Sequence, residues 1–231
     1  MSGRTFRAIA TDYDGTLAWD GRVDEPTVDA LLRARAARLR LLMVTGRELT
    51  DLFNTFAHAD LFDVVVAENG AVLFEPATAT LTPLAPSPPP ALLQRLEEQR
   101  VPVSVGHSIV ATVEPHEHAV LEAIRTLGLE WHVIFNKGSV MALPAEVTKA
   151  TGLAAALDRL AIGAETVVGI GDAENDQAFL RACGLSVAVA NALPSVKEMA
   201  AVVTGGVRGA GVAEAIDLLL SGRLEGQRRG N

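Results

Sequence analysis

Asp12-Tyr13-Asp14-Gly15-Thr16 follows directly on the apolar run 6–11, so two carboxylates and a glycine turn stand at the end of a predicted strand. In an open α/β sheet that edge is where ligands bind. Gly15 allows the chain to break away from the strand, so that one side chain and one backbone carbonyl can face a common point. Such an arrangement suits a cation and an electrophile.

A second acidic cluster, Gly171-Asp172-Ala173-Glu174-Asn175-Asp176, follows the predicted strand 166–170 in the same way. Asp172 and Asp176 are four apart, which places them on one face of a first helical turn, near the positive end of the helix. A helix cap needs one such side chain, and three acids exceed that need. Two unit charges about 4 Å apart repel by roughly 4 kcal/mol at an effective dielectric near 20, so a cation must sit among acids gathered from two strand ends. All-oxygen ligands suit magnesium. The five histidines and single cysteine form no zinc pattern. His116-Glu117-His118, the one dense imidazole pair, follows Pro115 at a helix start and is expected on the surface.

Parts for holding an anion lie between the two clusters. Thr45-Gly46 ends the second predicted strand and offers a hydroxyl and a backbone amide at a helix start. Lys149 opens a later helix.

The elements that must position these residues alternate. The pattern reads strand 7–11, helix 25–38, strand 39–45, helix 48–57, strand 63–67 and a returning arm 71–74. Pro83, Pro86, Pro88, Pro89 and Pro90 then read as a linker. After it come helix 91–99, β-rich residues 103–113, helix 116–127 and β-rich residues 131–143, in which Asn136-Lys137-Gly138 signals a hairpin turn. The parallel pattern resumes with helix 149–160, strand 166–170, helix 174–182, strand 185–189, helix 195–200, a short extended stretch 202–204 and helix 212–220. The expected fold is therefore α/β: a Rossmann-like, doubly wound parallel-sheet core with an inserted small α+β cap. The expected division is core 1–82, cap 83–145 and core 146–231. A cap across the sheet's active edge would act as a lid, admitting water at one stage and excluding it at another.

The 231 residues are 49% hydrophobic and 21% charged, as in a globular protein. A formal charge of -8 argues against nucleic acid as a partner, since a phosphate backbone calls for a basic face. Arg223, Arg228 and Arg229 lie in a Gly-rich tail and are expected to be solvated. Cys183 stands alone, which points to a reducing, cytoplasmic setting. The N-terminus lacks a signal-peptide pattern and no segment has a membrane-spanning apolar run, so the expectation is a protein without a membrane partner.

Asp12 to Thr16, Thr45-Gly46-Arg47, Lys149, and Gly171 to Asp176 resemble, in order, the four motifs of the haloacid dehalogenase superfamily, across nearly the whole chain. Asn69-Gly70-Ala71, Phe179-Leu180, the stretch 187–192 and Val196-Lys197 further resemble its Cof-like branch of sugar and small-metabolite phosphatases. Tyr13 departs from the usual leucine or phenylalanine. It is shared with trehalose-phosphate phosphatases, whose fourth motif differs from this one. Ala173 replaces a frequent glycine.

The resemblance implies a magnesium-dependent phosphatase acting on a small phosphorylated metabolite, a sugar phosphate or a phosphoglycolate-like compound, as monomer or homodimer. It makes Asp12 the nucleophile and Asp14 the general acid and base. Thr45, Gly46, Arg47, Lys149 and Asn175 would hold the phosphoryl group. Asp12, Asp14 through its carbonyl, Asp172 and Asp176 would serve the Mg2+, Asp176 by orienting the metal's surroundings or Lys149. The alternatives are a phosphotransferase of the phosphomannomutase type and a non-catalytic phospholigand-binding protein. Specificity is expected from the cap, with His107, Ser108, Asn136 and Lys137 as polar candidates.

Overall fold

A computed structural model describes residues 6–224; Arg228 and Arg229 of the tail lie outside the described residues. The elements of the first part are β1 (Ala8–Thr11), α1 (Glu25–Ala36), β2 (Arg40–Val44), α2 (Leu49–Thr55), β3 (Val64–Ala67), β4 (Val72–Glu75) and β5 (Thr80–Pro83). The middle of the chain gives α3 (Pro90–Glu98), β6 (Ser104–Val105), β7 (Val110–Val113), α4 (Glu117–Leu127), β8 (Trp131–Asn136) and β9 (Ser139–Pro144). The last part gives α5 (Lys149–Leu160), β10 (Val167–Gly171), α6 (Gln177–Ala182), β11 (Leu185–Ala188), α7 (Pro194–Met199), β12 (Val202–Val203) and α8 (Arg208–Leu220).

Among the described residues the strands form two sheets, one of eight strands in the order β12-β11-β10-β1-β2-β3-β4-β5 and one of four in the order β6-β7-β9-β8. From β12 to β3 all neighbours are parallel, whereas β4 pairs antiparallel with β3 and β5 antiparallel with β4. The chain moves outward from β1 through β2 and β3 on one side, and from β10 through β11 and β12 on the other. The winding therefore reverses beside β1, and ligands bind at such switch points, beyond the carboxyl ends of the strands. The runs Ala8–Thr11 and Val64–Ala67 are buried on both faces, which explains why they read as continuous apolar stretches rather than alternating ones.

The small sheet is antiparallel throughout and packs its own apolar cluster, built from Leu92, Leu96, Val110, Val120, Ala123, Ile124, Val140 and Ala142. From its other face, Ile109, Met141 and Leu143 join the main core. The fold is thus the expected α/β core carrying a separate α+β unit. Its β8–β9 hairpin turns through Lys137 and Gly138, whose φ values of 51° and 82° are those of the tight turn foreseen there.

Some boundaries differ from the sequence reading. Pro83, expected to open the linker, instead ends β5, an edge strand where a missing N–H leaves no ladder partner unserved. The fourth acidic motif begins not with an α-helix but with a tight turn at Glu174–Asp176, and the helix starts only at Gln177. Helix α8 begins at Arg208, four residues before the expected start, because Gly209 and Gly211 pack closely against their surroundings instead of breaking it.

Candidate active site

β1 and β10 pair in register, Thr11 opposite Ile170, so the residues that follow them emerge side by side. Asp12, Asp172 and Asp176 are all buried, and each offers a carboxylate oxygen within 4.8 Å of the others. Gly15 has a φ of +90°, and a Cβ there would come within 2.4 Å of Asp172 Oδ2; only glycine lets the chain turn so close to that carboxylate. Thr16 Oγ1 donates to Asp172 Oδ1 at 3.1 Å. Asn191 braces the same turn, its Nδ2 donating to the Gly15 carbonyl while its Oδ1 accepts from Arg208 N.

Lys149, the first residue of α5, is buried and donates from Nζ to Asp12 Oδ1 and to Asp176 Oδ1, both at 2.6 Å. Its helix is fixed at this end by Thr148 and Thr151, which cap one another's backbone N–H groups. Burial alone would push the Lys149 ammonium down, but Asp12 and Asp176 outweigh it and hold the group above the ordinary lysine range. For Asp12, burial and the carboxylates of Asp176 and Asp172 prevail over Lys149 and raise its pKa to about 8. Asp172 is raised as well, first by burial and then by Asp176, against the pull of Lys137. Both shifts come first from burying carboxylates close to one another.

The donor set fits a magnesium ion: oxygen only, acidic, buried and gathered from two loops. Asp176 belongs to the same buried group. Its Oδ1 is held by Lys149, and its Oδ2 accepts from the Asp172 and Ala173 N–H groups at 2.9 and 3.0 Å, so both oxygens are engaged within the protein. It ties the fourth motif to Lys149.

Asp14 lines the same cavity as Asp12. Its carboxylate receives a two-pronged contact from Arg47, Nε at 2.7 Å and Nη2 at 2.8 Å, and Arg47 also bonds Asp51 at 2.6 Å. The Asp14 hydrogen bond, acting against burial, raises the guanidinium above its usual value. Arg47 lies over the ring of fully buried Tyr13, whose hydroxyl donates to the Gly21 carbonyl at 2.8 Å. Tyr13, unusual by sequence, is thus a platform for the arginine.

Thr45 is buried, and its Oγ1 accepts from Arg47 N at 3.1 Å, which leaves the hydroxyl proton to be donated elsewhere. Gly46, Arg47, Asp12, Asp14 and Lys149 line a cavity of about 590 Å³, closed from the small sheet's side by residues that include Ile109, Asn136, Lys137 and Met141. Asn175, expected at the phosphoryl group, does not line this cavity; its amide donates to Asn69 Oδ1 at 3.0 Å. Of the polar candidates in the inserted unit, Asn136 and Lys137 reach the cavity, whereas His107 and Ser108 do not. His116 and His118 stay apart from the cluster, with His118 on the surface as expected.

His107 and Ser108 meet Glu68, a fully buried carboxylate in the left-handed region at φ 52°. Glu68 accepts from the backbone N–H groups of His107, Ser108 and Ile109 at 2.9, 2.9 and 3.2 Å, and His107 Nδ1 lies 3.2 Å away. The residue therefore pins the loop between β6 and β7 to the core. Sequence reasoning misses this role of Glu68, because its partners lie some 40 positions away. The signal available was an acid at the end of a fully apolar strand.

The family of haloacid dehalogenase-like hydrolases matches residues 9–119 and 124–216. A protein of Methanothermobacter thermautotrophicus named phosphoglycolate phosphatase is 34% identical over 227 residues, covering 91% of this chain and 97% of its own. A Saccharolobus solfataricus protein named phosphoglycolate phosphatase 2 is 29% identical over 221 residues, covering 94% of this chain and 93% of its own. The crystal structure of a haloacid dehalogenase-like hydrolase from Bacteroides thetaiotaomicron shares the fold, with a TM-score of 0.78 at 20% identity over 92% of this chain and 98% of that one. With its four motifs gathered at the switch point of the sheet and a family match over most of its length, the chain belongs to the haloacid dehalogenase-like hydrolases.

Proposed function

We propose that this chain is a magnesium-dependent phosphatase that hydrolyses a small phosphorylated metabolite through an aspartyl-phosphate intermediate. The observation that carries this reading is the Asp12 carboxylate, buried at the sheet's switch point, 2.6 Å from Lys149 and open to a cavity lined with phosphate-compatible groups. Asp12, the Asp14 carbonyl and Asp172 would hold Mg2+, which when bound supplies positive charge to the phosphoryl oxygens and lowers the cost of gathering the carboxylates.

Asp12 attacks phosphorus, and the bond from phosphorus to the substrate's alcohol oxygen breaks. Lys149 is held by Asp176 with its ammonium toward the reacting carboxylate, where it neutralises charge on the phosphoryl oxygens. Gly46, which lines the cavity, would donate its amide to the same group, and Thr45, buried behind the cavity wall, would add its hydroxyl. Asp14 protonates the leaving alcohol and then takes a proton from the water that hydrolyses the acyl phosphate. Since its carboxylate is clamped by Arg47, this role requires the clamp to loosen or Asp14 to turn when substrate enters. Arg47 thereby becomes a positioning group for the general acid, in addition to a phosphate contact.

Between the two substrate classes foreseen from sequence, the named activity of the relatives favours a phosphoglycolate-like acid over a larger sugar phosphate. A panel of phosphometabolites scored by kcat/KM, with product analysis for isomerised phosphosugars, tests the reading. Phosphate release with the highest kcat/KM on small phosphorylated acids is expected. Isomerisation without release would replace it by the phosphotransferase reading, and binding without turnover by a phospholigand sensor.

A further inference from the structure

Lys137 belongs to the hairpin of the small sheet yet ends in the machinery of the large one. Its Nζ donates to the Asp14 carbonyl at 2.7 Å and to Asp172 Oδ2 at 3.2 Å. Those two oxygens come from different loops, and both are assigned above to the metal. The ammonium lies so near Gly15 that a Cβ there would stand 2.3 Å from it. The lysine backbone has a φ of 51°, in the left-handed region that a tight hairpin turn imposes, where asparagine or glycine carries less strain. The side chain also forms part of the wall of two cavities, the one beside Asp12 of about 590 Å³ and one beside Trp19 and Asn191 of about 850 Å³. Its side chain is about half exposed (52%), so folding does not depend on burying it.

We propose that Lys137 is a tethered cation that competes with the divalent metal for the Asp14 carbonyl and the Asp172 carboxylate, so that metal binding releases the hairpin tip toward the substrate. The inference rests on the reading of Asp12, Asp14 and Asp172 as the metal's oxygens. A divalent ion and an ammonium that both hold the Asp14 carbonyl oxygen and Asp172 Oδ2 repel one another strongly at such short range. The metal must therefore displace the ammonium, and its apparent affinity is reduced by the fraction of molecules in which Lys137 is docked. Once displaced, the ammonium remains on the wall of the substrate cavity, where it meets anionic groups of the incoming ligand. In this way one side chain links metal occupancy to the position of the hairpin.

The test is a calorimetric titration of the substrate-free protein with Mg2+ and, separately, Mn2+, comparing wild type with Lys137→Met and Lys137→Arg, with Asp172→Asn as the control for the metal site. With Lys137 docked most of the time, Lys137→Met should bind either ion about three- to tenfold more tightly. Lys137→Arg should stay near wild type, and Asp172→Asn should lose binding. Equal or weaker affinity in Lys137→Met, while Asp172→Asn still abolishes binding, overturns the role of Lys137 and leaves the metal site standing. Failure of every variant to bind metal overturns both. Thermal melting of each variant checks that the fold is retained.

Discussion

Three cations and four carboxylates meet at one sheet edge, and their pairing decides what each can do. Lys149 joins Asp12 to Asp176, Arg47 clamps Asp14, and Lys137 reaches Asp172. If Asp12 is the nucleophile, Asp12→Asn should remove phosphate release altogether while leaving the protein folded, since Asp176 still pairs with Lys149. Asp14→Asn should lower kcat on the order of a hundredfold or more, the usual worth of general acid and base catalysis. The raised carboxylates make a further prediction. A carboxyl whose folded pKa exceeds its unfolded value stabilises the fold while protonated and loses that contribution as pH rises, here from near 4 through about 8 for Asp12. In chelator, melting temperature should therefore include a component that falls over that window, and added Mg2+ should stabilise progressively more as pH rises. A magnesium effect independent of pH would contradict the raised values. At this scale the meeting of Asp12, Asp172 and Lys149 was legible from sequence, because a motif carries each. It was illegible for Tyr13 and Arg47, whose roles exist only through contacts with Gly21, Asp14 and Asp51.

Elements position these groups by where they end. The parallel strands β1, β2 and β10 finish together, so Asp12, Thr45 and Asp172 converge, and this was readable from alternating strand and helix patterns. The strand β5 was not, because its exposed, alternating Thr80–Pro83 run ends in a proline that also signals a loop. Nor was the contact between the two sheets. Glu68 gathers three backbone N–H groups of the loop before β7, and no sequence pattern reports a partner set drawn from backbone. Removing it leaves those donors without their acceptor, at about 1–3 kcal/mol for each that water fails to reach. Glu68→Ala should accordingly lower the melting temperature by several degrees and raise KM more than it lowers kcat, because Ile109, which follows the pinned loop, lines the substrate cavity. An unchanged KM would mean that the loop keeps its place without Glu68.

At the scale of the whole molecule, the two apolar clusters divide the labour: one supports the sheet that carries the charged groups, and the other supports a unit that covers them. We propose that the unit between the proline-rich stretch and Lys149 moves as a lid, with Glu68 holding one side and Lys137 the other. Hydrogen exchange of the loop 106–109 and the hairpin 136–139, with and without Mg2+, should show slower exchange at the first than at the second, with the hairpin responding to metal. The family and the α/β architecture followed from motif order along the chain, whereas the substrate did not, since it depends on a few side chains brought over the cavity by tertiary packing.

On the proposed mechanism Asp12 carries the phosphoryl group during turnover. Rapid acid quench of the protein turning over phosphoglycolate with Mg2+, followed by peptide mass analysis, tests it most directly. A phosphoryl adduct on the Asp12 peptide, absent in Asp12→Asn and absent in chelator, is the predicted result. Phosphate release at full rate by Asp12→Asn, or an adduct on another residue, would contradict it.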